Sequence, residues 1–375
     1  MTSTPTPTPN ARVIIRKADY GDGSIEARVE EIFETLEVKV EGKKVLVKPN
    51  MLSARPPKRG VTTHPEVVRA VVKALERRNA ARIWVGDNPG MRHYGDSDEV
   101  AAKTGILEAA GPYYHNMGTS PARVRMHNPY AGEVIVSQEL LDCDFLLSLP
   151  KFKTHSLTLL TAAVKNSYGL LLGAEKARLH RVARSRDAFA RTVVDVWALR
   201  PPDLAILDAV TAMQGNGPSS LDVIDYGYLL ASTDSVALDA VAGKIMNLRP
   251  HEVQTTAIAA ARGLGVADFD HIDLDGPLEP IEGFKLPSSF ARSRVYTLLA
   301  WLAGGLIVSE PHADTNACVR CGLCRDHCPV EAVALDPFPR INRRECIRCY
   351  CCLEFCPCEA MKLSRRVQLL RGLGR

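Results

Sequence analysis

The cysteines near the carboxyl end of the chain have the spacing that most clearly predicts chemistry. The 375-residue sequence has 11 cysteines, and all except Cys143 lie between Cys318 and Cys358. The segments CVRCGLCRDHCPVEAVAL and CIRCYCCLEFCPCEAMKL begin at Cys318 and Cys346, and both contain the run C-x2-C-x2-C-x3-C-P. Thiolates at this spacing are typical ligands of iron–sulfur clusters. The repeat therefore predicts a small domain that transfers electrons one at a time.

The same spacing predicts which cysteines share a cluster. In the bacterial two-cluster ferredoxin pattern, the fourth cysteine of each run, which precedes proline, binds the other cluster. Structural zinc is disfavoured, because zinc sites use paired knuckles of two cysteines each. We predict two [4Fe–4S] clusters, one held by Cys318, Cys321, Cys324 and Cys356, the other by Cys346, Cys349, Cys352 and Cys328.

Three cysteines remain outside these two sets. Cys351 and Cys358 align with Leu323 and Val330 of the first repeat, and Cys143 lies in the apolar run DCDFLLSLP. Because an unligated cysteine behaves as a small apolar residue, we expect all three to be buried.

A second group of candidates lies in segment 149–181, where cations alternate with apolar residues instead of acids. The group could form a pocket for an anionic or acidic substrate, with lysine as a point charge and histidine as a proton donor. Alternatively, the lysines are solvated and the histidines are hydrogen-bonded in the core. The catalytic candidates are Lys153, His155, Lys165 and His180, and the binding candidates from this segment are Lys151 and Asn166.

Alternating strands and helices must position these residues. The sequence predicts strands in segments 12–18, 43–50, 81–88, 142–150 and 203–210, and helices over 25–36 and 65–77 with Thr63 as a possible N-cap. Ligands of parallel sheets bind beyond the carboxyl ends of the strands. Polar residues near such ends, and His64 at the entry to the second helix, complete the candidate lining: Lys48, Asn50, His64, Asp87 and Asp208.

The predicted fold class is α/β, with a mainly parallel sheet flanked by helices and a small α+β ferredoxin-like two-cluster domain. We predict a disordered N-terminus at 1–11, an α/β domain at 12–270, and a linker with an apolar helix at 271–309. The two-cluster domain follows at 310–365 and a basic tail at 366–375. The apolar stretch 298–308 is too short to span a bilayer, so we expect a buried helix, with an interfacial membrane contact as the alternative.

Composition and charge disfavour several classes of protein. A net charge of +4 gives no reason to expect a nucleic-acid partner. We see no signal peptide and no transmembrane segment, and clustered cysteines in such a chain indicate metal binding in a reducing cytoplasm. Neither the G-x-G-x-x-G motif nor the P-loop motif occurs between a strand and a helix, so no nucleotide site is predicted.

Five motifs in order give the chain a family resemblance. VLVKPNML, GVTTHPEVV, VGDNPG, LPKFKTHSLTLLTAAVKNSYGLL and AILDAVTAMQGNGP, spread over roughly residues 12 to 260, resemble the domain of unknown function 362 family. Members commonly carry a two-cluster ferredoxin domain at the C-terminus, as this chain does. The resemblance implies an iron–sulfur protein, often described loosely as an oxidoreductase, whose substrate is unsettled. It favours the pocket interpretation of segment 149–181 and assigns no role to any residue.

Three functions are compatible with these observations. In the first, an iron–sulfur oxidoreductase passes electrons to an acidic or carbonyl-bearing substrate in the α/β crevice, where an additional organic cofactor would also fit. In the second, an electron-carrier subunit docks on a partner enzyme. In the third, the protein is an iron–sulfur sensor or assembly protein. The first is favoured, because a large domain with inward polar clusters exceeds what docking requires. A redox partner protein, as electron donor or acceptor, is expected.

Overall fold

The computed structural model describes residues 10–90, 95–290 and 307–367. Most of the predicted disordered N-terminus, most of the apolar helix at 298–308 and most of the basic tail at 366–375 lie outside these ranges. The helix prediction is wrong for Ile307 and Val308, because these two residues begin a strand. Within them, no helix combines the length and the apolar character that crossing a bilayer requires.

A mostly parallel sheet forms the centre of the large domain, as predicted. The strands are β1 Ala11–Lys17, β2 Lys44–Pro49, β3 Arg82–Val85, β4 Pro121–Arg125, β5 Glu133–Ser137, β6 Phe145–Leu149, β7 Lys151–His155, β8 Leu159–Thr161, β9 Leu204–Met213, β10 Val223–Ser232 and β11 Ile272–Asp275. The strand order is β11-β1-β10-β9-β6-β2-β3, and β7 pairs with β9 and β8. The pairs between β9, β6, β2 and β3 are parallel, whereas β10 is antiparallel to both β1 and β9.

Helices cover both faces of this sheet, because its inner strands are apolar on both sides. The helices are α1 Ser24–Thr35, α2 Pro65–Arg77, α3 Ser97–Lys103, α4 Ile106–Ala110, α5 Gln138–Asp142, α6 Ala163–Asn166, α7 Glu175–Val182, α8 Arg186–Ala198, α9 Ser235–Ile245 and α10 Gln254–Ala261. One face of the sheet packs against α1 and α2, and the other against α8, α9 and α10.

Helix α2 shows how the sequence sets a boundary next to the predicted crevice. Pro65 occupies the first helical position, where a missing N–H costs nothing. The N-cap is His64, whose Nδ1 accepts a hydrogen bond from the Glu66 amide, so the expectation of Thr63 as cap is wrong. Thr63 instead links two strand ends: its hydroxyl accepts from the Asn50 amide and donates to the Leu149 carbonyl.

The carboxyl-terminal domain is small and ferredoxin-like. β12 (Ile307–Ala313) pairs antiparallel with β15 (Met361–Val367), and β13 (Val333–Leu335) pairs with β14 (Pro339–Ile341). Two four-residue helices, α11 (Leu323–Asp326) and α12 (Cys351–Glu354), occupy equivalent positions in the two repeats. The large sheet extends to Asp275 through β11, past the predicted limit at 270, because β11 pairs in parallel with β1.

Candidate functional site

A cavity lies beyond the carboxyl ends of β2, β3 and β6, where the sequence places its polar residues. Its volume is about 70 Å³, room for several water molecules or a small ligand. Seven of the predicted site residues line it: Asn50, Asp87, Lys153, His155, Lys165, Asn166 and His180.

A buried ion pair forms the floor of this cavity. Lys48 Nζ lies 2.7 Å from Asp87 Oδ1, and both side chains are almost fully buried. The other Asp87 oxygen accepts a hydrogen bond from the Met51 amide. Gly169 approaches so closely that a Cβ there would lie 2.2 Å from Asp87 Oδ1 and 2.7 Å from Lys48 Nζ. The ion pair therefore depends on glycine at position 169.

An amide pair connects Lys153 to this floor. Asn50 donates from Nδ2 to Asn166 Oδ1 at 3.0 Å and accepts from Lys153 Nζ at 2.9 Å. Lys153 also donates to the Val61 carbonyl. Burial, and after it the charge of Lys165, lowers the pKa of Lys153 to about 7. This lysine therefore changes charge near neutral pH.

Lys165 is the cation most available to a ligand. Its ammonium group makes no hydrogen bond or ion pair with the residues that the structure describes. It lies 4.4 Å from the centre of the Tyr168 ring and 5.8 Å from that of Phe189. Burial lowers its pKa to about 8, although the carboxylate of Glu354 acts in the opposite direction. An unpaired ammonium in a cavity wall favours an anionic occupant.

The hydrogen bonds of His155 fix its tautomer. Its Nδ1 accepts from the amides of Leu157 and Thr158 at 3.1 and 3.3 Å, so the proton of the neutral ring lies on Nε2. That nitrogen faces Glu354 Oε1 at 3.6 Å, beyond hydrogen-bonding distance. Burial and the charge of Lys165 hold the pKa of His155 well below its usual value. His155 is therefore a neutral donor.

His180 has the opposite tautomer. Its Nδ1 lies 2.7 Å from the Lys176 carbonyl, which only accepts, so Nδ1 carries the proton and Nε2 is free to accept. Burial lowers the pKa of His180 to about 4. Lys176 itself donates to the Asn88 and Pro89 carbonyls. The cavity thus has one histidine donor and one histidine acceptor.

The carboxyl-terminal domain closes one side of the cavity. Glu354 ends α12, and its side chain is 14% exposed. It lines the cavity together with Lys153, His155 and Lys165. Burial raises the pKa of Glu354 to about 7 against the opposing effect of Lys165 and Lys153. Two buried polar atoms of the wall, Glu354 Oε1 and Thr161 Oγ1, have no hydrogen-bond partner among the described residues.

Four predicted residues lie outside the cavity lining. Lys48 lies beneath the cavity, paired with Asp87. The others form a second buried cluster: Lys151 Nζ lies 2.9 Å from Asp208 Oδ2 and donates to the Tyr20 hydroxyl at 2.8 Å. Asp208 also accepts from Tyr20 and from the His64 amide. Because the polar side chains of this cluster are paired with one another, its contacts are those of a structural network.

The cysteines of the carboxyl-terminal domain surround a separate cavity. It is lined by Cys318, Cys321, Cys324 and Cys356, which is the first predicted ligand set, and also by Cys358. Thiols of the second set act on one another: burial, then the thiols of Cys349, Cys346, Cys324 and Cys328, raise the pKa of Cys352, and of these Cys324 belongs to the first set.

The backbone around these cysteines repeats with the sequence. Left-handed conformations occur at Arg320 and Arg348, and again at Gly322 and Tyr350. Amides donate to cysteine sulfur at equivalent places, from Ala332 to Cys328 and from Ala360 to Cys356. Left-handed residues turn successive N–H groups towards one concave surface, which suits an anionic cluster. The donor set and backbone therefore fit iron–sulfur clusters.

The three remaining cysteines differ in burial. Cys143 and Cys351 are buried, as predicted. The prediction for Cys358 is wrong: it is partly exposed, and its sulfur lies 3.8 Å from that of Cys356. The residue after the proline of the second repeat faces the cluster cavity, whereas alignment with an apolar residue suggested the core.

Sequence reasoning missed residues of the cavity lining and of the buried network around Lys151 and Asp208. Glu354 belongs to another domain, and Tyr20 lies far from Asp208 in the chain, so no local spacing indicates either. Tyr168 was inside segment 149–181, and its position three residues after Lys165 was the available signal.

Comparisons with known proteins agree with this division of the chain. A family model described as "Domain of unknown function (DUF362)" matches residues 45–244, more than half of the chain. The chain belongs to the DUF362 family. A second model, described as "4Fe-4S dicluster domain", matches residues 310–357. This DUF362 protein therefore carries a 4Fe–4S ferredoxin-type domain at its carboxyl end.

One curated relative covers most of the chain. It is a thylakoid-associated protein of Synechocystis sp., 31% identical over 292 residues, which are 73% of this chain and 87% of the relative.

Two solved structures resemble the DUF362 protein weakly. The lactate racemase apoprotein from Thermoanaerobacterium thermosaccharolyticum has a TM-score of 0.40 and 11% identity, over 64% of this chain and 58% of that one. A Thermotoga maritima protein has a TM-score of 0.35 and 14% identity, over 63% and 59%. The chain thus spans less than two thirds of either structure, and similarity at this level says nothing about activity.

Proposed function

We propose that this DUF362 protein is an iron–sulfur oxidoreductase that passes electrons to a small anionic or carbonyl-bearing substrate in the cavity. One observation carries the proposal. The short helix that includes Cys351 and Cys352 ends at Glu354, and Glu354 lines the same cavity as Lys153, His155 and Lys165. The wall of the candidate substrate site is thus continuous with the cysteine loop of the second repeat.

The proposal includes two [4Fe–4S] clusters with crossed ligands. Cys318, Cys321 and Cys324 would hold one cluster with Cys356, because these four cysteines line one cavity. The other would be held by Cys346, Cys349, Cys352 and Cys328, whose thiols influence one another. When bound, the clusters supply one-electron transfer.

The lining residues suit a substrate that gains electrons. Lys165 and protonated Lys153 would bind a carboxylate and stabilise negative charge that develops on a neighbouring carbonyl. His155 is a neutral Nε2–H donor and can hydrogen-bond to that carbonyl oxygen, whereas His180 accepts. The unpaired Glu354 Oε1 and Thr161 Oγ1 mark positions where a ligand or water would complete the hydrogen bonding.

A redox partner protein would exchange electrons at the first cluster site. Cys321 is exposed, and the neighbouring Val319 is 64% exposed. An exposed apolar residue beside a cluster ligand suits a transient protein contact. The second cysteine set would lie nearer the large domain, since Cys352 is buried and Cys349 adjoins that domain. A reducing cytoplasmic location stays a prediction.

The test uses cluster-loaded protein, reduced under strict exclusion of oxygen. The reduced protein is mixed with a panel of 2-oxo acids and aldehydes, and cluster reoxidation is followed by visible absorbance. We expect at least one compound to reoxidise wild type and the control R123Q rapidly, and K165Q and H155Q slowly. Arg123 is exposed on β4, outside the cavity lining.

An electron carrier would give a different result. If the cavity variants reoxidise like wild type with every compound, while V319D alone slows exchange with a protein donor, the oxidoreductase proposal fails. Iron content and circular dichroism of each variant establish that the clusters and fold are retained.

A further inference from the structure

We infer that the substrate carries two anionic groups and that the second one binds in an outer chamber beside Arg55 and Arg59. This inference rests on the proposed function, since it extends the same site outwards. The outer chamber has a volume of about 40 Å³ and is lined by both arginines, by Ser53 and Ser219, and by residues of the carboxyl-terminal domain.

The outer chamber adjoins the cavity that contains Lys165. Leu52, Gly90 and Glu354 line both spaces. A ligand that extends past these three residues would therefore touch the inner lysines at one end and the outer arginines at the other. Glu354 lies at the junction, where its carboxylate would oppose a third negative group in the middle of the ligand.

Arg55 and Arg59 lack the partners that other arginines of the chain have. Arg77, for example, pairs with Glu26 and Glu30, and Arg178 pairs with Glu175. Across residues 10–90, 95–290 and 307–367, the guanidinium groups of Arg55 and Arg59 make neither an ion pair nor a hydrogen bond. Both residues are only partly exposed. Partly buried, unpaired guanidinium groups in a concave wall favour an anion.

Two acidic residues line the outer chamber, Glu354 and Glu359, and Glu359 is already engaged. Glu359 Oε1 accepts a hydrogen bond from the Leu221 amide at 2.7 Å. This contact ties the carboxylate to the large domain. The hydroxyl groups of Ser53 and Ser219 are uncharged. Arg55 and Arg59 are the cationic groups of the chamber lining, and the carboxylates of Glu359 and of Glu354 at the junction oppose them.

The loop that carries Arg55 and Arg59 is fixed by two prolines and by a hydrogen bond from a lysine of the inner cavity. Pro56 and Pro57 restrict the backbone between Arg55 and Arg59. Two residues after Arg59, the Val61 carbonyl accepts the hydrogen bond from Lys153 Nζ. The inner and outer cations are thus connected through one short segment, which pre-organises both ends of the site for a single ligand.

Carboxylate and phosphate are the groups that guanidinium recognises best, through paired N–H donors. The inferred substrate class is therefore a small molecule with a carboxylate or carbonyl-bearing acid at one end and a second carboxylate or phosphate at the other. A monoanion would fill the inner cavity alone.

Pairs of a dicarboxylic and a monocarboxylic acid distinguish binding in the outer chamber from binding in the inner cavity. Anaerobic calorimetry on the full-length, cluster-loaded protein compares succinate with butyrate and glutarate with valerate, which have equal carbon counts and differ in one carboxylate. We expect at least one diacid to bind about tenfold to a hundredfold more tightly than its monoacid, the effect of a charged hydrogen bond. The R55Q/R59Q double variant should lose this ratio, and R123Q should keep it.

The outcomes also distinguish this inference from the proposed function. K165Q should weaken the diacids and the monoacids alike. If K165Q weakens both but the diacids bind no better than the monoacids, or if the double variant keeps the ratio, the outer chamber is not a binding site. If wild type binds none of the four acids, the anionic substrate itself is wrong and the inference falls with it.

Discussion

At the scale of single residues, the cavity is defined by lysines removed from water. Lys153 and Lys176 are almost fully buried and Lys165 is partly buried, and burial lowers the pKa of each. Asp87 is already paired with Lys48, so its carboxylate offsets only part of this charge. A site that holds surplus ammonium groups in a low dielectric binds anions more strongly than surface lysines do.

Anion affinity should fall as pH rises from 6 to 9. A lysine carries its charge below its pKa, so both ammonium groups are charged at pH 6, and the charges are lost as pH passes about 7 for Lys153 and about 8 for Lys165. We expect butyrate to bind roughly tenfold more weakly at pH 9. Calorimetry at several pH values measures this.

Four other charged groups face these two lysines and contribute to the pH dependence. They are Lys48, Lys176, Asp87 and Glu354. Lys176 and Glu354 also have pKa values of about 7, so the decline near pH 7 is shared among several groups and the decline near pH 8 belongs to Lys165. Butyrate does not titrate in this range, and His155 stays neutral throughout it because its pKa lies far lower. In K165Q the part of the decline near pH 8 should disappear. An affinity that is constant from pH 6 to 9 would show that the lysines do not bind the anion.

At the scale of elements, the short segment after α6 (Ala163–Asn166) shapes the floor of the cavity. Gly169 passes directly over the Lys48–Asp87 pair, so any side chain there must displace one of the two ions. When one ion of a buried pair is displaced, the charge of the other is left uncompensated, which costs about 3 kcal/mol or more.

The substitution G169A should therefore destabilise the large domain. We expect the thermal unfolding temperature to fall by roughly 5–10 °C, the shift that about 3 kcal/mol produces in a domain of this size. Gly132 is the matched control, because an added Cβ there meets nothing within 4 Å. If G169A unfolds at the same temperature as G132A, the ion pair does not depend on the glycine.

Much of the secondary structure could be predicted, because it follows from the local sequence. Apolar runs without polar interruption indicate strands buried on both faces, and β2, β3, β6 and β9 lie within three residues of the predicted segments. Helix α2 matches residue for residue, since Pro65 marks its start. These boundaries follow from residue type alone.

Other elements could not be predicted, because their cause is tertiary. β7 reads KFKTH, a sequence typical of a surface, yet all five residues are buried. Lys151 is tolerated there only because Asp208 lies opposite it on β9. The antiparallel direction of β10 likewise leaves no signal in an apolar run.

At the scale of the whole molecule, residues of the two domains line one cavity. Tyr350 packs in an apolar core of the large domain and is 3% exposed. The Leu221 amide donates to Glu359, and Arg186 lies over the Tyr350 ring. The cavity residues of the large domain could be predicted from strand ends, whereas Glu354 could not, because docking of a separate domain brings it there.

Removal of the clusters should loosen both sides of this interface. We expect iron chelation to raise hydrogen exchange in residues 310–363 and also at the Leu221 amide, which loses Glu359 as its acceptor. The amides of β2 should stay protected, since the sheet does not depend on the clusters. Hydrogen-exchange mass spectrometry of holo- and apoprotein measures this. Unchanged exchange at Leu221 would contradict the docked arrangement.

The central claim is that two clusters lie next to an anion-binding cavity. The most direct measurement is electron paramagnetic resonance on anaerobically reduced protein, with iron counted on the same sample, before and after addition of glutarate. We predict about eight irons per chain, two interacting cluster signals, and a change in one of them when glutarate binds. Four irons or fewer, or a spectrum that glutarate leaves unchanged while calorimetry shows it bound, would contradict the claim.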